Sequence, residues 1–114
     1  MWRPAVTELA KHENVVAKVG GIQMVVNGYG WHEQERPPSS DDLLEANRRW
    51  YEHTIEAFGP DRCMFESNFP VDKLSCSYVV LWNQFKKLTR GYSSDARAAM
   101  FHDTAQRVYR LPQL

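Results

Sequence analysis

The sequence predicts an α/β fold of parallel βα units, and one that this chain does not complete by itself. Three observations predict it. Two short apolar runs, around residues 14–19 and 62–67, each lead directly into a polar or glycine-rich loop. Stretches with apolar residues at helical spacing separate and follow those runs, the alternation expected of parallel βα units. The helical faces carry more apolar surface than two strands can cover, and a sheet of two parallel strands is not independently stable.

The elements follow in order. Residues 4–12 read as a helix, with Pro4 suited to a first turn and Val6, Leu9 and Ala10 at helix spacing. The run NVVAKV at 14–19 is a buried strand, closed by Gly20-Gly21. An irregular stretch from 20 to 39 contains Met24, Tyr29, Trp31, His32, Glu33 and Arg36. A loop of that length is usually functional. Its aromatic and ionisable side chains suit either a binding lid or a surface excursion whose rings simply pack. Ser39 and Asp42 form an S-x-x-D capping signature after Pro37-Pro38. The helix behind it presents Leu44, Tyr51, Ile55 and Phe58 on one face, and Gly59-Pro60 ends it. Residues 62–67 form the second strand, consecutively apolar at Cys63, Met64 and Phe65, as in a strand covered on both faces. A third helix runs from Ser75 or Ser77 to about Arg90. Ser93 caps a fourth, and a last turn at 104–109 tucks Val108 and Tyr109 inward.

Composition excludes several classes of function. Fourteen Lys plus Arg balance fourteen Asp plus Glu, so no basic excess points to nucleic acid or to an anionic membrane. No apolar run approaches the roughly 20 residues of a membrane span, and the first twelve residues lack the apolar core of a signal peptide. Two cysteines without a CxxC spacing make neither a disulfide framework nor a structural zinc site. Cys63 reads as a buried hydrophobe and Cys76 as the more accessible of the two. A reducing, cytoplasmic setting is expected. The expected partners are a small-molecule substrate and, through open strand edges, further copies of the chain.

The segment FGPDRCMFESNFPVD, 58–72, concentrates the chemistry. Residues just past the carboxyl end of a parallel strand are where sites are built. Ser67, Asn68 and Asp72 occupy that place.

Three segments resemble the C-terminal part of the amidohydrolase-related TIM-barrel hydrolases, in the branch with lactonases and some decarboxylases. ELAKHENVVAKVGG is similar to the helix and seventh strand of that barrel, EAFGPDRCMFESNFPVD to its eighth strand, and DTAQRVYRL to its closing helix. The resemblance implies about two βα units of a (β/α)8 barrel, residues 1–114 forming one incomplete domain. It implies a hydrolase that directs water at a lactone, ester or amide carbonyl of a small organic acid. It also implies a divalent metal, zinc, in full-length relatives, with the metal-ligand histidines on strands absent here and no metal assembled by this chain. An inactive barrel remnant that acts only by assembly is the alternative.

The resemblance places an aspartate, within the wording SDWP, where this sequence has Asn68 in SNFP. Asn cannot abstract a proton and is a neutral ligand, but it can orient a water or a carbonyl. Asp72 is the substitute carboxylate, or else an acid that caps the next helix or braces the loop. Trp31, His32 and Arg36 are the candidate substrate contacts, Arg36 because a guanidinium suits a carboxylate. Of four histidines, only His32 falls in a strand-top loop, and one histidine makes no metal site. Glu66, taken as a strand residue facing the interior, is expected to pair with Lys18 on the neighbouring strand.

Overall fold

The structure is a computed structural model that describes residues 1–113. The chain falls into two compact units. One comprises Met1–Val19, Arg49–Phe65 and the segment from Tyr92 onward. The other comprises Gly20–Arg48 and Glu66–Gly91.

In the first unit, α1 (Trp2–Ala10) leads to β1 (Ala17–Val19), which pairs in parallel with β2 (Cys63–Phe65). The register sets Ala17 opposite Cys63, Lys18 opposite Met64 and Val19 opposite Phe65. All three residues of β2 are buried, as a strand with no polar alternation must be. Both strands are shorter than the sequence predicts, and Glu66 lies beyond the end of β2 rather than inside it.

Arg62, just before β2, holds this unit together. Its Nε donates to the Phe58 carbonyl at 3.0 Å. Its Nη1 donates to His12 at 3.0 Å and Val15 at 3.3 Å, and its Nη2 to Ala10 at 2.8 Å. The bonds to Ala10, His12 and Val15 reach carbonyls at and past the C-terminus of α1, where the dipole favours a cation, and the bond to Phe58 reaches the residue before Gly59. The guanidinium also lies 5.2 Å from the Phe58 ring centre.

The helix α2 (Ser40–Phe58) starts as the capping signature predicts. The Ser39 backbone N–H donates to Asp42 Oδ2 at 2.9 Å, and the Asp42 N–H donates to Ser39 Oγ at 3.1 Å. That first bond lowers the Asp42 carboxyl below the ordinary carboxylate range. Leu44, Tyr51, Ile55 and Phe58 are all buried, and Gly59 follows at φ 83°.

The C-terminal part departs from expectation in two places. The helix α4 (Ser94–Ala98), capped by Ser93, passes into a π-helical turn at Ala99–Asp103 before α5 (Thr104–Val108). Tyr109 is 55% exposed, not tucked inward. It lies past the last helical turn, where the chain has stopped presenting a face to the core.

In the second unit, the stretch after Gly20 carries two short 3-10 turns, Val25–Asn27 and Trp31–Glu33. A third 3-10 turn, Val71–Leu74, leads into α3 (Tyr78–Leu88), whose first turn Ser77 caps by accepting from the Val80 N–H at 3.2 Å. Leu43, Leu81, Phe85 and Leu88 form the apolar centre. Among them lie three buried amides: Asn47 and Gln23 both donate to Gln84 Oε1, at 3.0 and 3.5 Å. Lys87 Nζ bonds Ser40 Oγ and Asp41 Oδ1, each at 2.7 Å, tying α3 to the start of α2. Cys76 is 3% exposed, so it is not the accessible cysteine of the sequence reading. It follows the turn directly, and its Sγ packs against the Asp72 carbonyl at 3.9 Å.

Candidate active site

The loop after β2 is shaped by two glycines and an asparagine. At Gly20, a Cβ would sit 2.5 Å from both Cγ and the backbone oxygen of Glu66. Only glycine permits that approach. At Gly21, φ is +79°, and the nearest side-chain atoms are Asn68 Nδ2 at 3.6 Å and Glu66 Oε1 at 3.9 Å from a notional Cβ. The two glycines thus form a floor on which the Glu66 carboxylate and the Asn68 carboxamide lie together. Asn68 itself has φ 53°, a left-handed conformation that Asn tolerates better than most residues.

That conformation turns the Asn68 side chain onto Asp72. Asn68 Nδ2 donates to Asp72 Oδ1 at 2.9 Å, and the Asp72 N–H donates back to the Asn68 carbonyl at 3.0 Å. Ser67 Oγ accepts from the Phe69 N–H at 3.2 Å and so faces the loop backbone. Asp72 is fully buried. Its second oxygen, Oδ2, has no hydrogen-bond partner among the described residues. Burial pushes the Asp72 carboxyl above the usual range. The Asn68 bond opposes that shift, and the negative charge of Glu66 adds to it. Burial, reinforced by Asp72, also raises the Cys76 thiol to about 11. A thiol in that state is neither a nucleophile nor a metal ligand at neutral pH. Asp72 does not cap α3, because Ser77 does.

A cleft of about 330 Å³ opens on the outer side of the same turn. Trp31 and His32 line it, as do Lys73, Gln34 and Ser77. Tyr29 stacks on Trp31 at 4.4 Å with 7° between the rings, which fixes the indole plane. His32 Nε2 lies 3.7 Å from Glu33 Oε1. The structure therefore brings Asn68 to Asp72, and Trp31 to His32. Arg36 is exposed and is not part of the cleft wall. Lys73 joins the cleft without a sequence signal, since only the 3-10 turn, with about three residues per turn, sends it outward while Asp72 points in.

The described residues contain no group of three or more His, Cys, Asp or Glu side chains that could hold a metal ion. The donor set at this loop is two carboxylates and a neutral amide whose NH2 is already directed at Asp72. It does not amount to a metal centre. No helix among the described residues is long and apolar enough to cross a membrane.

A family model described as Amidohydrolase matches residues 1–111. An uncharacterized protein of Sinorhizobium fredii is 44% identical over 110 residues, which are 96% of this chain and 33% of that protein. The L-fucono-1,5-lactonase of Burkholderia multivorans is 34% identical over 113 residues, 98% of this chain and 36% of the lactonase. A crystal structure of an amidohydrolase from Burkholderia multivorans with bound zinc superposes with TM-score 0.81 at 32% identity, covering 97% of this chain and 37% of the other. A second crystal form of that amidohydrolase, with bound HEPES, gives 0.80 at 33% identity. The chain spans about a third of the length of these relatives. An α/β chain matched by that model along nearly its whole length belongs to the amidohydrolase family of hydrolases.

Proposed function

We propose that this chain supplies part of the acid–base machinery of a hydrolase that adds water to a lactone, ester or amide carbonyl of a small organic acid. The two parallel strands then correspond to neighbouring strands near the end of a (β/α)8 barrel. The match to barrel-family structures at TM-score 0.81 supports that assignment. The lactonase relative favours a lactone among the three carbonyl classes.

One observation carries the reading: Asp72 is buried, one oxygen is held by Asn68, and the other is unpartnered. A carboxylate held in that way has a fixed direction for proton transfer. Its raised affinity for a proton also brings it nearer the operating pH, where a general base is most effective. In the proposed step, Asp72 Oδ2 takes a proton from water as the water oxygen bonds to the carbonyl carbon. The bond from that carbon to the leaving oxygen or nitrogen then breaks. Asp72 returns the proton to the departing atom. Asn68 positions Asp72 and takes no proton itself. No part of this sequence of steps is routed through a metal.

The test is hydrolysis of a panel of γ- and δ-lactones by the protein and by Asp72→Asn. Loss of a general base lowers turnover by about 10²–10⁴-fold, while Asn68→Ala should fall less and shift the pH profile. Activity that survives thorough chelation supports Asp72 as the base. Activity lost on chelation and restored by zinc would assign water activation to an ion and overturn the role given to Asp72.

A further inference from the structure

The interior of the second unit offers an inference that deepens the proposed function and rests on it. Gln23, Asn47 and Gln84 are fully buried there. Gln84 Oε1 accepts from Asn47 Nδ2 at 3.0 Å and from Gln23 Nε2 at 3.5 Å. Asn47 Oδ1 and Gln84 Nε2 have no partner among the described residues. Inverting all three amides leaves the same two positions unmatched. A buried polar cluster that is only partly matched stabilises less than apolar side chains of the same shape. Its contribution therefore lies in what it holds. Gln23 sits inside the turn that the Met24 N–H closes on the Gly21 carbonyl at 3.3 Å, so it continues the glycine floor. Asn27 Nδ2 braces the same turn by donating to the Ile22 carbonyl at 2.8 Å. The Gln23 carbonyl accepts from Ser75 Oγ at 2.5 Å, and Ser75 is itself buried. The Ser75 and Cys76 N–H groups both donate to the Asp72 carbonyl, at 3.0 and 3.1 Å. Two hydrogen bonds thus join the Gln23 carbonyl to the backbone of Asp72.

We propose that Gln23 and Ser75 are positioning residues for Asp72: the amide cluster fixes Gln23, the Gln23 carbonyl fixes Ser75, and Ser75 fixes the turn that carries the proposed base. Neither residue gives or takes a proton in the reaction. Asn68 holds the Asp72 side chain, and the brace through Ser75 holds its backbone. The brace also ties the glycine floor to that turn, so the two halves of the site keep one relative placement.

The experiment follows amide hydrogen exchange of the whole chain by NMR. Ser75→Ala removes only the hydroxyl, and Thr89→Val is its matched control. Thr89 is buried in the same unit, and its Oγ1 donates to the Phe85 carbonyl at 2.9 Å, at the far end of α3. In Ser75→Ala the Asp72 and Cys76 amides should exchange about 2- to 12-fold faster, the range set by one lost hydrogen bond. In Thr89→Val they should keep the parent rate. Gln23→Met leaves the Ser75 hydroxyl in place and should speed the same two amides. Ser75→Ala should also lower kcat for lactone hydrolysis and leave KM near the parent value, since the substrate is still bound. Parent exchange rates at Asp72 and Cys76 in either Ser75→Ala or Gln23→Met, or equal acceleration in Thr89→Val, would overturn the brace. The outcome is separable from the hydrolase reading. Faster exchange in both variants without any lactone hydrolysis by the parent sinks the reaction and leaves the brace. Hydrolysis by the parent with a kcat unchanged in Ser75→Ala leaves the reaction and sinks the positioning role.

Discussion

Replacing Gly20 with alanine tests whether the glycine floor fixes the site. The new Cβ would stand 2.5 Å from Glu66 Cγ and 2.5 Å from the Glu66 backbone oxygen. Carbon atoms in ordinary contact lie about 3.5–4.0 Å apart, so at least an ångström must be recovered. The Glu66 side chain can turn away. Its carbonyl oxygen cannot, and the loop after β2 has to move. Overpacking of this kind costs about 1–3 kcal/mol. Alanine also restricts the unfolded chain, which offsets about 0.4–1 kcal/mol. The net loss is about 1–2 kcal/mol, or a fall in Tm of roughly 4–10 °C for a chain of this size. Gly91→Ala is the matched control, because nothing lies within 4 Å of a Cβ there. Thermal melts followed by far-UV circular dichroism compare the two variants. If Gly20→Ala melts at or above the temperature of Gly91→Ala, the close approach is not a real constraint and the placement of Glu66 and Asn68 derived from it fails.

Three other predictions follow from the same geometry. Burial raises the Asp72 carboxyl in the folded state, so the fold binds that proton more tightly than the unfolded chain. The linked stability is fully present below the unfolded value near 3.8 and is lost as pH rises through the folded value. Asp72→Asn should therefore gain stability relative to the parent between pH 4 and pH 7 in urea titrations, and parallel curves would contradict it. Arg62→Met should cost about 2–4 kcal/mol, since four carbonyl bonds disappear and the carbonyls at the end of α1 are left to water. A change under 1 kcal/mol in chemical denaturation would show that those bonds are dispensable. The Cys63 thiol is pushed up to about 12 by burial and Cys76 to about 11. Neither should react with a maleimide at pH 7 in the folded protein, and rapid single labelling would show that one of them is open to solvent.

Local rules made much of the fold legible. The capping pair Ser39 and Asp42 marked the start of α2, Gly59 marked its end, and the unbroken apolar run at Cys63–Phe65 marked a strand buried on both faces. Ser93 was readable as a cap, and the start of α3 was legible only to within Ser75 or Ser77, of which Ser77 is the cap. What escaped depends on tertiary geometry. The π-helical turn at Ala99–Asp103 leaves no mark in residue spacing. The exposure of Tyr109 and the burial of Cys76 follow from where the chain turns, not from side-chain type. At the site, the Asn68–Asp72 pairing was within reach, since an asparagine in a tight loop often bonds a residue a few positions on. The partition of Asp72 inward and Lys73 outward was not, because a four-residue 3-10 turn has no pattern long enough to reveal its faces.

The amide at position 68 makes sense once Glu66 and Asp72 are seen beside it. An aspartate there would set a carboxylate within about 3 Å of Asp72 Oδ1, with Glu66 also on the glycine floor. Like charges that close cannot all be ionised in a buried setting, so such a cluster needs a shared proton or a cation to exist. Asn68 removes the third charge and substitutes a donor to Asp72 Oδ1. Under the proposed function, the acid–base task then falls to Asp72, four residues along the loop on the 3-10 turn. Asn68→Asp should then restore the crowded arrangement. Its expected mark is an added titration in the pH profile of hydrolysis together with a new dependence on divalent cations. A variant whose pH profile and cation response both match the parent would mean that residue 68 does not set the charge of this site.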